Sequence, residues 1–266
     1  MYTPRYIFAS PDLEVLWQTA SQLFFCLDYD GTLVPIASRP EEARPTTALL
    51  ALLSQLTQAP GIQIAIVSGR PLSDLCALLP VAGMACIGTH GLEMRTAGGT
   101  THQLVPVGAF TSIVARLRRD LAPLLSNSAG ILLEDKRYTL ALHYRLAQPA
   151  EAEYAIAQFL TVIRTYQKKG VTLEVLQGKK VIEVRPIGVN KGKAIQSLRE
   201  YRDKATVFVS LGDDATDEEA FQALNDRGPT ILVADPPQPT AARFYLKNPE
   251  EVSRFLSRVL RLRQAA

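Results

Sequence analysis

The 266-residue sequence predicts an α/β fold in two parts, a core built on a parallel β-sheet and an inserted α+β unit. Three observations carry this expectation. Apolar, β-branched runs such as "FFCL", "IQIAIV" and "TVFVSL" alternate with amphipathic helical patterns in the first and last thirds of the chain. Uninterrupted apolar runs are what strands buried on both faces require, and helices on both faces of a parallel sheet bury them so. The middle of the chain breaks the rhythm and reads helix, two strands, helix, two strands.

Taken in order, the opening strand "FFCLDYDGT" runs into Asp28, Tyr29, Asp30 and Gly31. "RPTTALLALLSQLTQAPG" places Leu49, Leu52, Leu53 and Leu56 at helical spacing, and Pro60-Gly61 closes it. "IQIAIVSGR" is a strand ending at Ser68, Gly69 and Arg70; a helical piece then leads to "MACIGTHG". A helix over 110–125 precedes two strands in "GILLEDKRYTLALHYR". "PAEAEYAIAQFLTVIRTYQKKG" is a second helix, and "VTLEVLQGKKVIEVRP" a hairpin turning near Gly178. The alternation resumes with helix "NKGKAIQSLREY", strand "TVFVSLGDD", helix "TDEEAFQAL" and strand "TILVAD". In the last helix, "NPEEVSRFLSRVLRLR", Asn248 is the N-cap, Pro249 opens the first turn, and Val252, Phe255, Leu256, Val259 and Leu260 form the buried stripe. The expected division is a core of 1–103 and 189–266 with an insert of 104–188.

Composition narrows the function classes. A hydrophobic fraction of 47% supports a sizeable core, and a net charge of +3 with scattered basic residues argues against nucleic acid. Cys26, Cys76 and Cys86 have neither metal-ligand spacing nor the even count of a disulfide framework. No segment reaches the roughly 20 apolar residues of a membrane span, and the N-terminal stretch lacks the apolar run of a signal peptide. The expectation is a cytoplasmic protein with no membrane partner. No P-loop motif occurs. His102 and His143 have no partner that the sequence names and read as structural; Trp17, Tyr138 and Tyr144 read as packing residues.

Open parallel sheets bind ligands at the carboxyl ends of their strands. Here those ends carry Asp28 and Asp30, then Ser68, then "GTHGLE", then Asp213, Asp214 and Asp217, while Lys191 opens a helix. Carboxylates gathered on one crevice repel one another unless a cation joins them, and oxygen-only ligands select a hard ion such as Mg²⁺. A carboxylate can attack phosphorus. Asp28, first at the strand end, is the expected nucleophile and Asp30 the general acid/base. Ser68 is expected to bond a phosphoryl oxygen, Lys191 to neutralise charge, and Asp213 and Asp214 to hold Mg²⁺ with Asp217 behind them.

The order "DxDGT", "SGR", lysine, "GDDxxDE" resembles the haloacid-dehalogenase superfamily of phosphatases, over about residues 22–235. With "GTHGLEMR", "HYR", "KKVIEVRP" and "NKGKAI" it is similar, within that superfamily, to the trehalose-6-phosphate phosphatase family. The resemblance implies a Rossmann-like core with a mobile cap at 104–188 that sets specificity. It implies Mg²⁺-dependent hydrolysis of trehalose 6-phosphate through a phospho-aspartate, and a functional link to a trehalose-6-phosphate synthase. It also implies a metal set of Asp28, Asp30 (through its backbone carbonyl), Asp213, Asp214 and Asp217. The sugar-reading positions it implies are Glu134, Lys136, Arg145, Lys179 and Glu183, with Arg70, His90 and Glu93 near the substrate. Glu134 with Lys136, and Lys179 with Glu183, are expected to share strand faces. Another sugar phosphate such as sucrose 6-phosphate, a phosphotransferase, or a non-catalytic sugar-phosphate sensor remain alternative readings.

Overall fold

In the computed structural model, which describes residues 3–105, 108, 110–200, 202–224 and 227–265, the chain divides into two compact units. The first comprises Met1–Leu104 with Asn190–Ala266, the second Val105–Val189. Chain order begins with β1 (Arg5–Tyr6), α1 (Asp12–Thr19), β2 (Gln22–Leu27), α2 (Thr47–Gln58), β3 (Ile62–Val67), α3 (Leu72–Leu78), β4 (Ala85–Gly88), β5 (Glu93–Arg95) and β6 (Thr101–Gln103). The second unit supplies α4 (Phe110–Leu125), β7 (Leu132–Asp135), β8 (Leu140–His143), α5 (Pro149–Lys168), β9 (Leu173–Gly178) and β10 (Val181–Pro186). The first unit resumes with α6 (Lys191–Glu200), β11 (Thr206–Gly212), α7 (Ala215–Leu224), β12 (Thr230–Val233), β13 (Phe244–Leu246) and α8 (Pro249–Gln264). Tyr201, the last residue of the helix read from "NKGKAIQSLREY", lies outside the described residues.

The first unit's sheet runs β1-β13-β12-β11-β2-β3-β4-β5-β6. At its centre β2 pairs in parallel with β11 and β3. Side-chain alternation along β2 divides the core in two. Leu23, Phe25 and Leu27 pack with Leu49, Leu53 and Leu56 of α2 and the Val252–Leu260 stripe of α8. Phe24 and Cys26 pack on the other face with Ala194, Ile195 and Leu198 of α6 and Ala220 and Leu224 of α7. Fully burying each large apolar side chain contributes roughly 1.5–3 kcal/mol, which fixes the register of β2 and so the point where it delivers Asp28. Thr46 Oγ1 caps α2 through Leu49 N at 3.1 Å, and Asn248 Oδ1 caps α8 through Glu251 N at 3.0 Å.

The sheet is not parallel throughout. β4, β5 and β6 pair antiparallel, because the chain reverses after β4 at Thr89 and His90, whose φ values are 49° and 57°. At the opposite edge the two-residue β1 pairs in parallel with β13. Trp17 and Tyr138 are buried, and the three cysteines are free thiols.

In the second unit an antiparallel sheet runs β7-β8-β10-β9. Leu140, Leu142, Ile182 and Val184 pack against Ile113, Leu117 and Leu121 of α4 and Phe159 and Ile163 of α5. The intervening residues point to the other face. There Glu134, Ala141 and Glu183 are direct cross-strand neighbours in one row. Among the described residues no helix is long and apolar enough to cross a membrane.

Candidate active site

Four strand ends of the first unit meet. The β2 ladder continues one residue past the strand, with Asp28 N donating to Leu211 O at 3.0 Å, which seats a buried carboxylate beside the end of β11. Gly31 then turns the chain with φ 78°. A Cβ there would lie 2.2 Å from Asp213 Oδ2, so both the turn and the proximity of Asp213 demand glycine. The β3 end presents the buried Ser68, whose Oγ accepts from Arg70 N at 3.2 Å. The β4 end presents Thr89 and His90, both buried. Positive φ is costly for a β-branched residue such as Thr89, and strain of this kind gathers at functional sites.

From β11 the chain enters α7 through Asp213 and Asp214, whose backbone N–H groups donate to Asp217 Oδ2 at 3.0 and 3.2 Å. The other oxygen of Asp217 accepts from Lys191 Nζ at 2.8 Å, and the same ammonium donates to Asp28 Oδ1 at 2.8 Å. Lys191 therefore bridges two buried carboxylates, and Asp213 completes a trio whose oxygens lie within 4.8 Å of one another. Thr32 Oγ1 and Thr89 Oγ1 are buried with no hydrogen-bond partner among the described residues. A buried unmatched hydroxyl costs about 1–3 kcal/mol, a signal that sequence reading passed over.

Burial pushes the Asp28 carboxyl up to about 7, the charges of Asp213 and Asp214 add to it, and Lys191 opposes them. Burial likewise holds Asp217 well above the usual carboxylate range. Burial would lower Lys191, but Asp217 and Asp28 outweigh it and keep the ammonium charged. Burial also raises Asp214, yet the Lys191 charge and the bonds from Thr216 leave it below the ordinary value.

Two of the five expected metal residues have carboxylates outside the trio, although for Asp30 the expected ligand is its backbone carbonyl. Asp214 Oδ1 accepts from Thr216 N at 2.8 Å and Thr216 Oγ1 at 2.7 Å, which caps α7. The Asp30 carboxylate is gripped by Arg70, with Nε to Oδ2 at 2.7 Å and Nη2 to Oδ1 at 2.8 Å. Glu93 is half-buried on β5, in register with Gly88 and Gln103. The trio itself fits a divalent cation: three buried, hard oxygen donors face one ammonium, so ionising all three leaves negative charge that a second cation would have to match.

In the second unit Lys136 Nζ donates to Glu183 Oε2 at 2.8 Å, and Thr139 Oγ1 bonds the other oxygen at 2.5 Å. Glu134 Oε2 lies 2.7 Å from His143 Nε2, so His143 has a partner that the sequence did not name. Arg145 donates to Lys179 O. Lys179 sits in the two-residue turn between β9 and β10, with Lys180 at φ 67°, so the expectation that Lys179 shares a strand face with Glu183 is corrected. The hairpin keeps Gly178 paired with Val181, which leaves both lysines outside the ladder. His102 is exposed on β6.

The fold is that of the haloacid-dehalogenase-like hydrolases; one from Bacteroides thetaiotaomicron superposes with a TM-score of 0.64 over 90% of this chain and 99% of that one, at 16% identity. Among proteins of this fold, the chain belongs to the trehalose-phosphatase family, whose model matches residues 26–250. It is similar to the C-terminal domain of C. albicans trehalose-6-phosphate phosphatase, with a TM-score of 0.84, 27% identity and coverage of 98% of this chain and 99% of that one. It is also 36% identical over 242 residues to a trehalose-phosphate phosphatase of Mycobacterium marinum, covering 87% of this chain and 60% of that protein. The chain thus spans about three-fifths of the length of that curated relative.

Proposed function

We propose that the chain hydrolyses trehalose 6-phosphate to trehalose and phosphate by way of a phosphorylated Asp28. The observation that carries the reading is the buried Asp28–Lys191–Asp217 bridge at the end of β2, beside Asp213. A carboxylate held this close to a permanent cation, in a cluster of more carboxyls than cations, suits attack on a phosphoryl group better than it suits structural use.

Asp28 and Asp213, with Asp217 behind them and the backbone carbonyl of Asp30, would hold Mg²⁺. When bound, the ion neutralises charge on the phosphoryl oxygens. Asp28 forms the new P–O bond as the sugar–oxygen bond to phosphorus breaks, and Asp30 supplies the proton to the departing alkoxide. Asp30 then takes a proton from water, whose oxygen attacks phosphorus and releases phosphate and free Asp28. Ser68 bonds a phosphoryl oxygen, and Lys191 steadies Asp28 in both steps. Glu134, Lys136, Arg145 and Glu183 read the sugar, with Lys179 acting through its turn; His90 and Glu93 contribute from the core side. A disaccharide offers hydroxyls alone, and paired carboxylates and cations match them as acceptors and donors. The substrate must come from a glycosyltransferase that builds it, which is the link to a trehalose-6-phosphate synthase.

Phosphate release measured with trehalose 6-phosphate, sucrose 6-phosphate and glucose 6-phosphate, each with Mg²⁺ and with EDTA, tests the reading. Preference for the first, abolished by EDTA, is expected. Preference for another sugar phosphate overturns the substrate, and no turnover of any ester overturns the activity.

A further inference from the structure

We infer that Arg70 is a positioning residue for Asp30: it fixes the carboxylate that moves the proton and does not itself reach the substrate. The inference rests on the assignment of Asp30 as general acid/base above.

The geometry is a two-point clamp. Nε and Nη2 of Arg70 each take one oxygen of Asp30, at 2.7 and 2.8 Å, which sets the position and the plane of the carboxylate together. Each oxygen keeps a further lone pair for the proton it transfers. The clamp is itself anchored on several sides. Nη2 also donates to Pro40 O at 2.7 Å, and the guanidinium carbon lies 5.1 Å from the centre of the Tyr29 ring. Arg70 N donates to Ser68 Oγ, and Arg70 O accepts from Thr89 N at 2.8 Å. Exposure separates the two partners: the arginine side chain is 10% exposed and the Asp30 side chain 36%. The cation is at the back, and the carboxylate is the reachable member.

Asp30 needs such support. It sits just before a glycine of φ 78° and outside any strand, with a single bridge to Val34. A general acid displaced slightly from the leaving oxygen loses most of its benefit. The benefit itself depends on the leaving group, because a stable phenoxide departs without a proton and a basic one does not. An ion pair that merely tied two loops together would affect all esters alike.

The test compares kcat/KM for p-nitrophenyl phosphate and phenyl phosphate, neither of which carries a sugar, in wild type, Asp30→Asn and Arg70→Lys with Mg²⁺ present. Lysine keeps the charge and loses the fork. Arg70→Gln, which retains a planar end, supplies the same comparison should the lysine variant fail to fold. The ratio of the two substrates is taken within one preparation, so a reduced folded fraction cancels. Asp30→Asn is expected to lose far more on phenyl phosphate than on p-nitrophenyl phosphate, and Arg70→Lys to shift the ratio the same way by about tenfold or more. A ratio that shifts in Asp30→Asn and stays at the wild-type value in the Arg70 variants overturns the inference and leaves the role of Asp30 standing. A shift toward better use of phenyl phosphate makes Arg70 a restraint and also overturns it. A ratio unchanged in every variant removes the assignment of Asp30 and the inference with it.

Discussion

Glu134 Oε2 lies 2.7 Å from His143 Nε2 across the β7–β8 pair, a diagonal contact two residues along β8 from the direct Glu134–Ala141 pair. Burial pushes the Glu134 carboxyl up, but the His143 bond and the Lys136 charge outweigh it and hold it below the usual range. A carboxyl depressed in the folded state contributes stability that is present above its unfolded value and lost as pH falls through the folded one. Glu134→Gln should therefore be less stable than wild type at neutral pH, with the gap closing below about pH 4. Thermal melts at neutral and acid pH check this; an equal gap at both would assign the loss to packing.

The charged face of the second unit should matter for the sugar alone. Replacing Glu134, Lys136, Arg145 or Glu183 by Ala removes charge-assisted bonds worth about 1.5–3 kcal/mol each. kcat/KM on trehalose 6-phosphate should fall about ten- to a hundred-fold or somewhat more. His143→Phe should follow Glu134→Ala. On p-nitrophenyl phosphate the losses should be much smaller, and equal losses on both substrates would mean that these residues support the fold.

Asp28→Asn should remain folded and lose turnover, since an amide of the same shape is a poor nucleophile. Circular dichroism beside a phosphate-release assay separates the two properties. Asp30→Asn should cost roughly 10²–10⁴-fold on the sugar phosphate. A loss below tenfold there would contradict its role in proton transfer.

Protons and Mg²⁺ should compete at Asp28. Its carboxyl is raised to about 7, so the fold binds that proton more tightly than the unfolded chain does. Without a cation, the Asp28 contribution to stability falls as pH climbs from the unfolded value of about 4 to the raised one. A cation requires the ionised form, so the rise in Tm on adding Mg²⁺ should be larger near pH 8 than near pH 5.5. Asp213→Asn should shrink that rise at both values. A shift that is absent, or independent of pH, would count against the trio as a metal site.

Gly31→Ala should abolish the proposed phosphate release although glycine has no functional group. Its Cβ would enter the space of Asp213 Oδ2, and its φ of 78° disfavours any L side chain. Activity close to wild type would mean that this turn relaxes without disturbing the cluster.

Much of the fold was legible because its signals are local. The α8 stripe from Val252 to Leu260 and the Asn248 cap follow from spacing alone, and each is found. The runs that became β2, β3 and β11 are continuous apolar strands buried on both faces. β1 and β13 escaped notice because two or three residues show no period, and their pairing is set by a partner far along the chain. The antiparallel turn into β5 depends on Thr89 and His90 adopting positive φ, which neither residue type announces. The acidic residues at the strand ends could be named from the sequence, and so could the lysine that faces Asp28. The Arg70 clamp on Asp30 and the pairing of His143 with Glu134 could not, since both depend on register and rotamer.

The connectivity of the first unit has a consequence for how the chain is made. β2 and its neighbour β11 are separated in sequence by the whole of the second unit. Synthesis runs from the N-terminus, so a nascent chain carrying β1 to β6 holds a sheet whose middle strand has a partner on one side only. The second unit is contiguous and has all of its strands and helices once Pro186 has emerged. Lys191, Asp213 and Asp217 arrive later, with the strand that closes the gap. Between those moments the apolar β2 presents an open hydrogen-bonding edge, the feature through which unfinished sheets pair with other chains. Exposure to aggregation on the ribosome is thus concentrated in the interval between completion of β6 and arrival of β11.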